Sequence, residues 1–430
     1  MKVLVIGSGG RESALVWALA RSPSVSSVVA APGNAGIARI ADTIDVGSMD
    51  PGGALEAART TGADLVVVGP EAPLVAGAAD VLRAEGFKVF GPDAAAARIE
   101  GSKSYAKELM DQADVPTARW QSFDSVAKAV SFLDELGPPY VVKADGLAAG
   151  KGVVVTPERE AAVDAVRERI EGRAFGEAGT TVVIEEFLDG EEASLIAFVD
   201  GKNVAPCEVA QDYKRIFDND EGPNTGGMGS YSPVPACPPE LAERLVDVVI
   251  EPMVRATAAT GRPFVGALFA GLALTSRGPR VVEFNARFGD PETQALLPRL
   301  NSDLGEVAMA AAMGDLAGTR LEWSPKACVS VVLASEGYPG RYKGGHVIEG
   351  LDEVNAMDDV EVFHAGTTER AGQMLTAGGR VLAVSALGDG FAAARALVYD
   401  AASRINFDGK HVRKDIALRA EETEAGGAGS

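Results

Sequence analysis

Over the first hundred residues, short and largely apolar runs alternate with amphipathic segments, and this alternation limits the possible folds more than any other feature. The runs stand at Val3–Ile6, Ser27–Ala30, Leu65–Val68 and Lys88–Phe90, with helical patterns over Arg11–Ala20, Ala54–Thr60 and Leu74–Glu85 between them. A strand that is apolar on both faces must be covered on both faces. In a strand–helix–strand order, that means a parallel sheet flanked by helices. Residues 1–101 are therefore expected to form an open parallel α/β domain.

The pattern then changes. A helix is expected near Ser102–Ala113, strands at Tyr140–Lys143 and Val153–Val155, and a helix over 158–171 with Thr156 as N-cap and Pro157 at its first position. Strands dominate to about residue 206, a polar Gly-rich loop covers 211–235, and a long helix near 239–259 precedes strands at Val265–Leu274 and Arg280–Phe284. From Lys326 on, strands at Cys328–Ala334, Glu361–His364 and Arg380–Leu387 mix with Gly-rich turns, and a helix near 391–403 follows Asp389 as N-cap. The expected class is α/β and α+β multidomain: an N-terminal domain 1–101, a central domain 102–325 with a small mobile lid at about 118–190, a mixed α/β C-terminal domain 326–420, and a disordered tail 421–430. No internal repeat stands out.

Composition excludes several classes. Lys plus Arg total 40 against 61 Asp plus Glu, a formal charge of −21, so nucleic acid and anionic membranes are expected to be repelled. No apolar run is long enough to span a bilayer, and GSGG breaks the first apolar run too early for a signal peptide, which points to the cytosol. Cys207, Cys237 and Cys328 are scattered, as are His346, His364 and His411, which argues against a disulfide framework and a zinc site. Any metal is expected to be held by oxygen, hence magnesium. With no coiled coil or exposed apolar stripe, a monomer is expected.

Four segments carry chemistry. Gly7-Ser8-Gly9-Gly10-Arg11-Glu12 ends the first strand and opens a helix, a place for a phosphate. It departs from a dinucleotide fingerprint, because Glu12 stands where a third glycine belongs and Ala30-Ala31-Pro32 lacks the acid that grips a ribose. Lys143 ends a strand and leads into a small-residue loop with Lys151, a pair suited to neutralising phosphates under a loop whose N–H groups fold over them. Val182-Val183-Ile184-Glu185-Glu186 feeds acids into a turn, as a hinge that reads a nucleoside would. In Glu283-Phe284-Asn285-Ala286-Arg287, period-two alternation puts a carboxylate, an amide and a guanidinium on one face, a set that suits magnesium and an anionic substrate.

Taken together with PGNAG at 32–36, VVGPEAPLVAG at 67–77, GPNTGGMGSYSP at 222–233, RFGDPETQ at 287–294, SEGYPG at 335–340 and RKDI at 413–416, these segments resemble the phosphoribosylamine–glycine ligase (glycinamide ribonucleotide synthetase) family of the ATP-grasp superfamily. The resemblance covers nearly the whole chain and implies an ATP-grasp fold in the central domain. It also implies a purine-synthesis reaction, in which ATP, glycine and 5-phosphoribosylamine give glycinamide ribonucleotide, ADP and phosphate. By that resemblance, Lys103, Lys143, Gly150, Lys151 and Gly152 hold the ATP phosphates, and Glu185, Glu186, Leu188 and Glu192 hold adenosine. Glu283 and Asn285 bind Mg2+ or Mn2+. Arg287, Asp290, Asp212 and Lys214 orient glycine and assist the transfer. Gly9, Gly10, Arg11, Glu12, Asn34 and Glu71, with Asn224, Thr225 and Gly226, position the phosphoribosylamine.

The chain departs from the family's usual pattern at Ser13 and Tyr213, where histidine is common, and retuned activity is the expected consequence. Strand Val265–Leu274 carries no acid, so Glu283 is expected to be the only protein carboxylate on the metal. The rival readings are another ATP-grasp ligase or carboxylase, a non-catalytic nucleotide-binding regulator, and an NAD-dependent dehydrogenase. Glu12 disfavours the last.

Overall fold

In the computed structural model, residues 1–147, 152–172 and 180–427 are described. Gly150 and Lys151 lie outside them. The N-terminal sheet has five parallel strands in the order Asp42–Thr43, Ser27–Pro32, Lys2–Gly7, Leu65–Val68 and Lys88–Phe90. Four were expected. The short fifth strand is polar and exposed, and leaves no apolar signal. The single helix expected over Leu74–Glu85 is two helices, Glu71–Val75 and Ala78–Ala84, because Gly77 takes a left-handed φ of +94° between them.

A helix not anticipated, Ala94–Gly101, is capped by Asp93, whose carboxylate accepts from Ala96 N at 2.7 Å. It runs into Lys103–Gln112, capped by Ser102. Beyond these lies an antiparallel sheet ordered Trp120–Phe123, Val182–Glu186, Tyr140–Ala144, Val153–Thr156. Helices Val126–Leu136 and Arg159–Ile170 cover it and enclose a separate small core with Phe123, Leu133, Val142, Val166 and Ile184. The expected cap at Thr156 is corrected: Thr156 ends a strand, and Glu158 stands at the N-cap.

The central antiparallel sheet is ordered Val204–Pro206, Glu191–Asp200, Val265–Thr275, Gly278–Asn285. The helix expected at 239–259 is present but widens to a π-type turn over Val246–Ile250. Pro252 follows at once, and it can neither donate to the carbonyl four residues back nor fit against it.

The last sheet joins Ala327–Ser335, Arg380–Gly388 and Val360–His364 to two strands from mid-chain, Gln211–Asp212 and Gly229–Ser232. The supposed loop 211–235 is thus mostly paired, and it contributes the edge of a sheet whose other strands come a hundred residues later. Helix Phe391–Arg404 begins after Gly390, not Asp389, and its first N–H is capped by the Glu424 carboxylate at 2.8 Å. Glu424 belongs to helix Leu418–Gly427, which Glu421 also ties to Arg395, so the tail expected to be disordered is helical over 421–427. Among the described residues no helix is long and apolar enough to cross a membrane.

Candidate active site

The site forms where the small sheet, helix Lys103–Gln112 and the central sheet meet. Lys143 ends its strand with its ammonium donating to Glu185 Oε2 at 3.0 Å and to the Val282 carbonyl at 3.1 Å. The same Glu185 oxygen pairs with Lys107 at 3.0 Å. Burial pushes the Glu185 carboxyl up, but the two ammoniums outweigh it and hold it below the usual range. Its carboxylate is turned onto lysines, and its backbone is paired with strands on both sides. Glu186 accepts from Arg119 N and Arg277, and Leu188 is half-buried at the turn. Glu192 pairs with Lys214.

On the phosphate side, Lys103 Nζ donates to the Gly146 carbonyl at 3.3 Å, and Asp145 accepts from Ser104 N and Oγ. The loop's near stem is thereby tied to the start of the helix. Its far stem is tied as well, because the Gly152 carbonyl accepts from Ala144 N at 2.9 Å.

Glu283 and Asn285 sit at the end of the central sheet's last strand. A bulge beside them skips Val282 in the register with Val265–Thr275. No described residue donates a hydrogen bond to the Glu283 carboxylate. Burial pushes it up, yet Lys214, Lys103, Lys143 and Arg287 around it hold it below its ordinary value. A half-buried carboxylate that accepts from no described residue, one strand repeat from an amide oxygen and near several cationic side chains, fits a divalent metal. Among the described residues no cluster of three or more His, Cys, Asp or Glu side chains could hold one alone.

Two further carboxylates approach. Glu292 is buried and accepts from Ser194 Oγ at 3.0 Å. Asp212 is pushed up to about 8 by burial, against the pull of Lys214, with Glu292, Glu192 and Glu283 adding to the rise.

Arg287 lies past the strand end, with Nε 3.3 Å from Glu71 and Nη2 3.0 Å from Glu100. Much of its fork is occupied by protein carboxylates, which hold the guanidinium charged. Asp290 is likewise engaged: Arg380 Nη1 lies 3.2 Å from Oδ1, Gln294 Nε2 donates at 2.7 Å, and Arg11 N at 3.4 Å.

The first glycine loop is more enclosed than an open phosphate cradle. Gly9 N donates to Glu12 at 2.6 Å, Arg11 is buried against Glu12 and the Phe288 carbonyl, and Asp290 faces Gly9 and Gly10. Asn34 spends its amide on the Ser8 and His364 carbonyls and its oxygen on Gly36 N and Ile37 N, so it ties the first domain to the last.

Thr225 and Gly226 belong to the turn after strand Glu221–Asn224. Gly226 O accepts from Arg380 at 2.6 Å, and its N–H donates to Tyr338 Oη at 2.9 Å. At Gly227, φ is +108° and a Cβ would meet Pro291 Cδ at 2.3 Å, so only glycine lets this turn lie on the 290–291 segment. Lys107, Glu100, Arg380 and Tyr338 were not singled out from sequence. The Lys103–Lys107 spacing, which puts both amines on one helix face, was the available signal for the first.

Models of phosphoribosylglycinamide synthetase match over three stretches: its N domain over 1–100, its ATP-grasp (A) domain over 101–293, and its C domain over 328–419. The chain belongs to the phosphoribosylglycinamide synthetase family. It is 52% identical over 423 residues to a phosphoribosylamine–glycine ligase of Streptomyces coelicolor, covering 98% of this chain and 99% of the relative. It is 50% identical over 424 residues to that of Brucella melitensis, covering 99% of each. A crystal structure of the Thermotoga maritima phosphoribosylamine–glycine ligase matches with a TM-score of 0.84 at 33% identity, covering 97% of this chain and 100% of that one. The central region of this family member is thus an ATP-grasp fold.

Ser13 and Tyr213 both have structural partners. Ser13 is buried, and its hydroxyl accepts from His364 N at 3.1 Å. Tyr213 packs its ring under the Arg413 guanidinium, 4.7 Å from the centroid, and its Oη accepts from Ala417 N at 3.0 Å. Tyr213→Phe should lower stability in urea unfolding by about 1 kcal/mol, the worth of one such hydrogen bond. It should leave the KM for glycine unchanged. A large rise in KM would place the hydroxyl in the substrate site instead.

Proposed function

We propose that this chain activates glycine with ATP as glycyl phosphate and passes the glycyl group to the amine of 5-phosphoribosylamine, giving glycinamide ribonucleotide, ADP and phosphate. The observation that carries the assignment of the site is Glu283. Its carboxylate is left unbonded by every described residue, beside Asn285, and faces Lys103, Lys143 and Lys214. Family membership supplies the reaction, and this geometry supports the roles given below.

A carboxylate is a poor electrophile until phosphorylation gives it a leaving group, so the protein's task is positioning and charge neutralisation. Lys143 and Lys103 hold nucleotide phosphates. Arg287, kept charged between Glu71 and Glu100 and donating through Nη1 to the Phe288 carbonyl at 3.1 Å, supplies positive charge beside the glycine carboxylate. Glu283 and Asn285 would hold Mg2+ or Mn2+, which would supply neutralisation of charge on the transferred phosphoryl group. No protein nucleophile is required, and the thiols are unsuited to the role: burial pushes Cys237 up to about 11 and Cys328 up to about 12. Water must be kept from the acyl phosphate, and the turn at 224–226 serves that exclusion. The chain acts as a monomer in the cytosol.

The test is ADP release by purified protein. Glycine plus phosphoribosylamine should stimulate it strongly, whereas bicarbonate or D-alanine should not. No stimulation by the pair over ATP alone would sink the reading. Sedimentation at micromolar concentration checks the monomer.

A further inference from the structure

The trio Lys107, Glu185 and Lys143 carries more than an ion pair needs. All three side chains are buried, at 2%, 3% and 4% exposure. Both ammoniums converge on the same oxygen, Glu185 Oε2, each at 3.0 Å, while Oε1 is buried without any partner. Two ammoniums and one carboxylate leave one net positive charge out of water. Burial of an uncompensated charge is costly unless an anion arrives to meet it. A single lysine would have neutralised Glu185, so the second is not explained by folding alone.

We propose that Lys107 is a positioning residue of the nucleotide site: it anchors the Glu185 carboxylate on its far side, and so keeps the Lys143 ammonium advanced toward the nucleotide phosphates and the trio cationic. This rests on the reading above that Lys143 meets those phosphates.

The geometry supplies the means. Lys107 also donates to Thr117 Oγ1 at 2.7 Å, and that hydroxyl donates to the Val281 carbonyl at 2.7 Å. Lys143 donates to the next carbonyl, Val282 O. The trio is thus fixed at two adjacent points to the strand that bears Glu283. With Lys107 gone, nothing holds Glu185 back. Its idle Oε1 is then free to take up Lys143 as well, drawing the ammonium inward.

The groups facing Lys107 are Glu185 and Lys143 on two strands of the small sheet and Asp111 on its own helix. Burial dominates among them and pushes Lys107 down to about 8, with Glu185 pulling the other way. The cationic trio therefore loses its excess charge as pH rises through that value.

The experiment measures binding of MgATP and MgADP to the full chain by calorimetry from pH 7 to 9.5, for wild type, Lys107→Met and Lys107→Arg, with circular dichroism on each. Lys107→Met should weaken MgATP binding about tenfold at pH 7, as expected for losing one charge-assisted contact's alignment. It should leave the KM for glycine unchanged, and Lys107→Arg should recover most of the affinity. Wild-type affinity should fall between pH 7 and 9, and the arginine variant should show no such fall. Wild-type affinity and pH dependence in folded Lys107→Met would overturn the proposal. So would a loss that only tracks the fraction unfolded, or a pH-dependent fall persisting in Lys107→Arg. If wild type itself bound no MgATP at pH 7, the reading of the nucleotide site would fail first, which is a different result.

Discussion

Glu283→Gln is expected to lower steady-state ADP release by about two to three orders of magnitude, the usual cost of removing one preorganised charge at a transferring group. The substitution keeps the shape of the side chain and removes its charge. No described residue donates to the Glu283 carboxylate, so no protein hydrogen bond is lost. What is lost is a charged oxygen beside Asn285 and the counter-charge to Lys214, Lys103, Lys143 and Arg287. A readout independent of turnover is Mn2+ binding in the presence of ADP, followed by the free-ion paramagnetic signal. Wild type should take up the ion at concentrations where the variant leaves it free. The folded carboxyl lies below its ordinary value, so its stabilising contribution is present above about pH 4.5 and lost as pH falls through the folded value. The variant should therefore be slightly less stable at pH 7 and match wild type in acid. Equal Mn2+ uptake by both proteins would remove Glu283 from the metal site.

The parts of this molecule that were legible in the sequence are those whose partners are local. Val3–Ile6 and Leu65–Val68 announce a parallel sheet because apolarity on both faces has one structural solution. Gly229–Ser232 did not announce itself, because its residues are small and polar and its partner, Ala327–Ser335, lies far along the chain. Residues 421–427 read as disordered from composition, yet Glu421 and Glu424 are held by Arg395 and by the first N–H of helix Phe391–Arg404. The same division runs through the site. Period-two spacing within one strand is enough to put Glu283 and Asn285 side by side. Glu100 and Arg380 reach Arg287 and Asp290 from other elements, and no spacing rule connects them. The first glycine loop shows a further limit. Its glycines mark a close approach, but the approaching groups in the structure are protein carboxylates, from Glu12 and Asp290.

Glu185→Gln should be the most destabilising single change near the cleft, at about 3–5 kcal/mol, the cost of leaving a buried charge without its partner. Glutamine fits the same space but leaves two buried ammoniums facing each other with no anion between them. The damage should be local, because the trio joins the small sheet to helix Lys103–Gln112 and to the central sheet. Amide exchange in strands Tyr140–Ala144 and Val182–Glu186 should therefore accelerate at pH 7, while the parallel N-terminal sheet keeps its protection. The dependence on pH follows from Lys107, whose folded value of about 8 already lies below its ordinary 10.5. A lysine depressed in the folded state gives up its proton there first, so the unfolded chain binds more protons across that window and stability rises with pH. Without Glu185, which pulls Lys107 up, that amine is depressed further, so the variant should regain part of its deficit as pH rises toward 8. A deficit that stayed constant over that range would mean the cost came from shape or hydrogen bonding. The excess charge on which both this prediction and the role of Lys107 depend would then be absent.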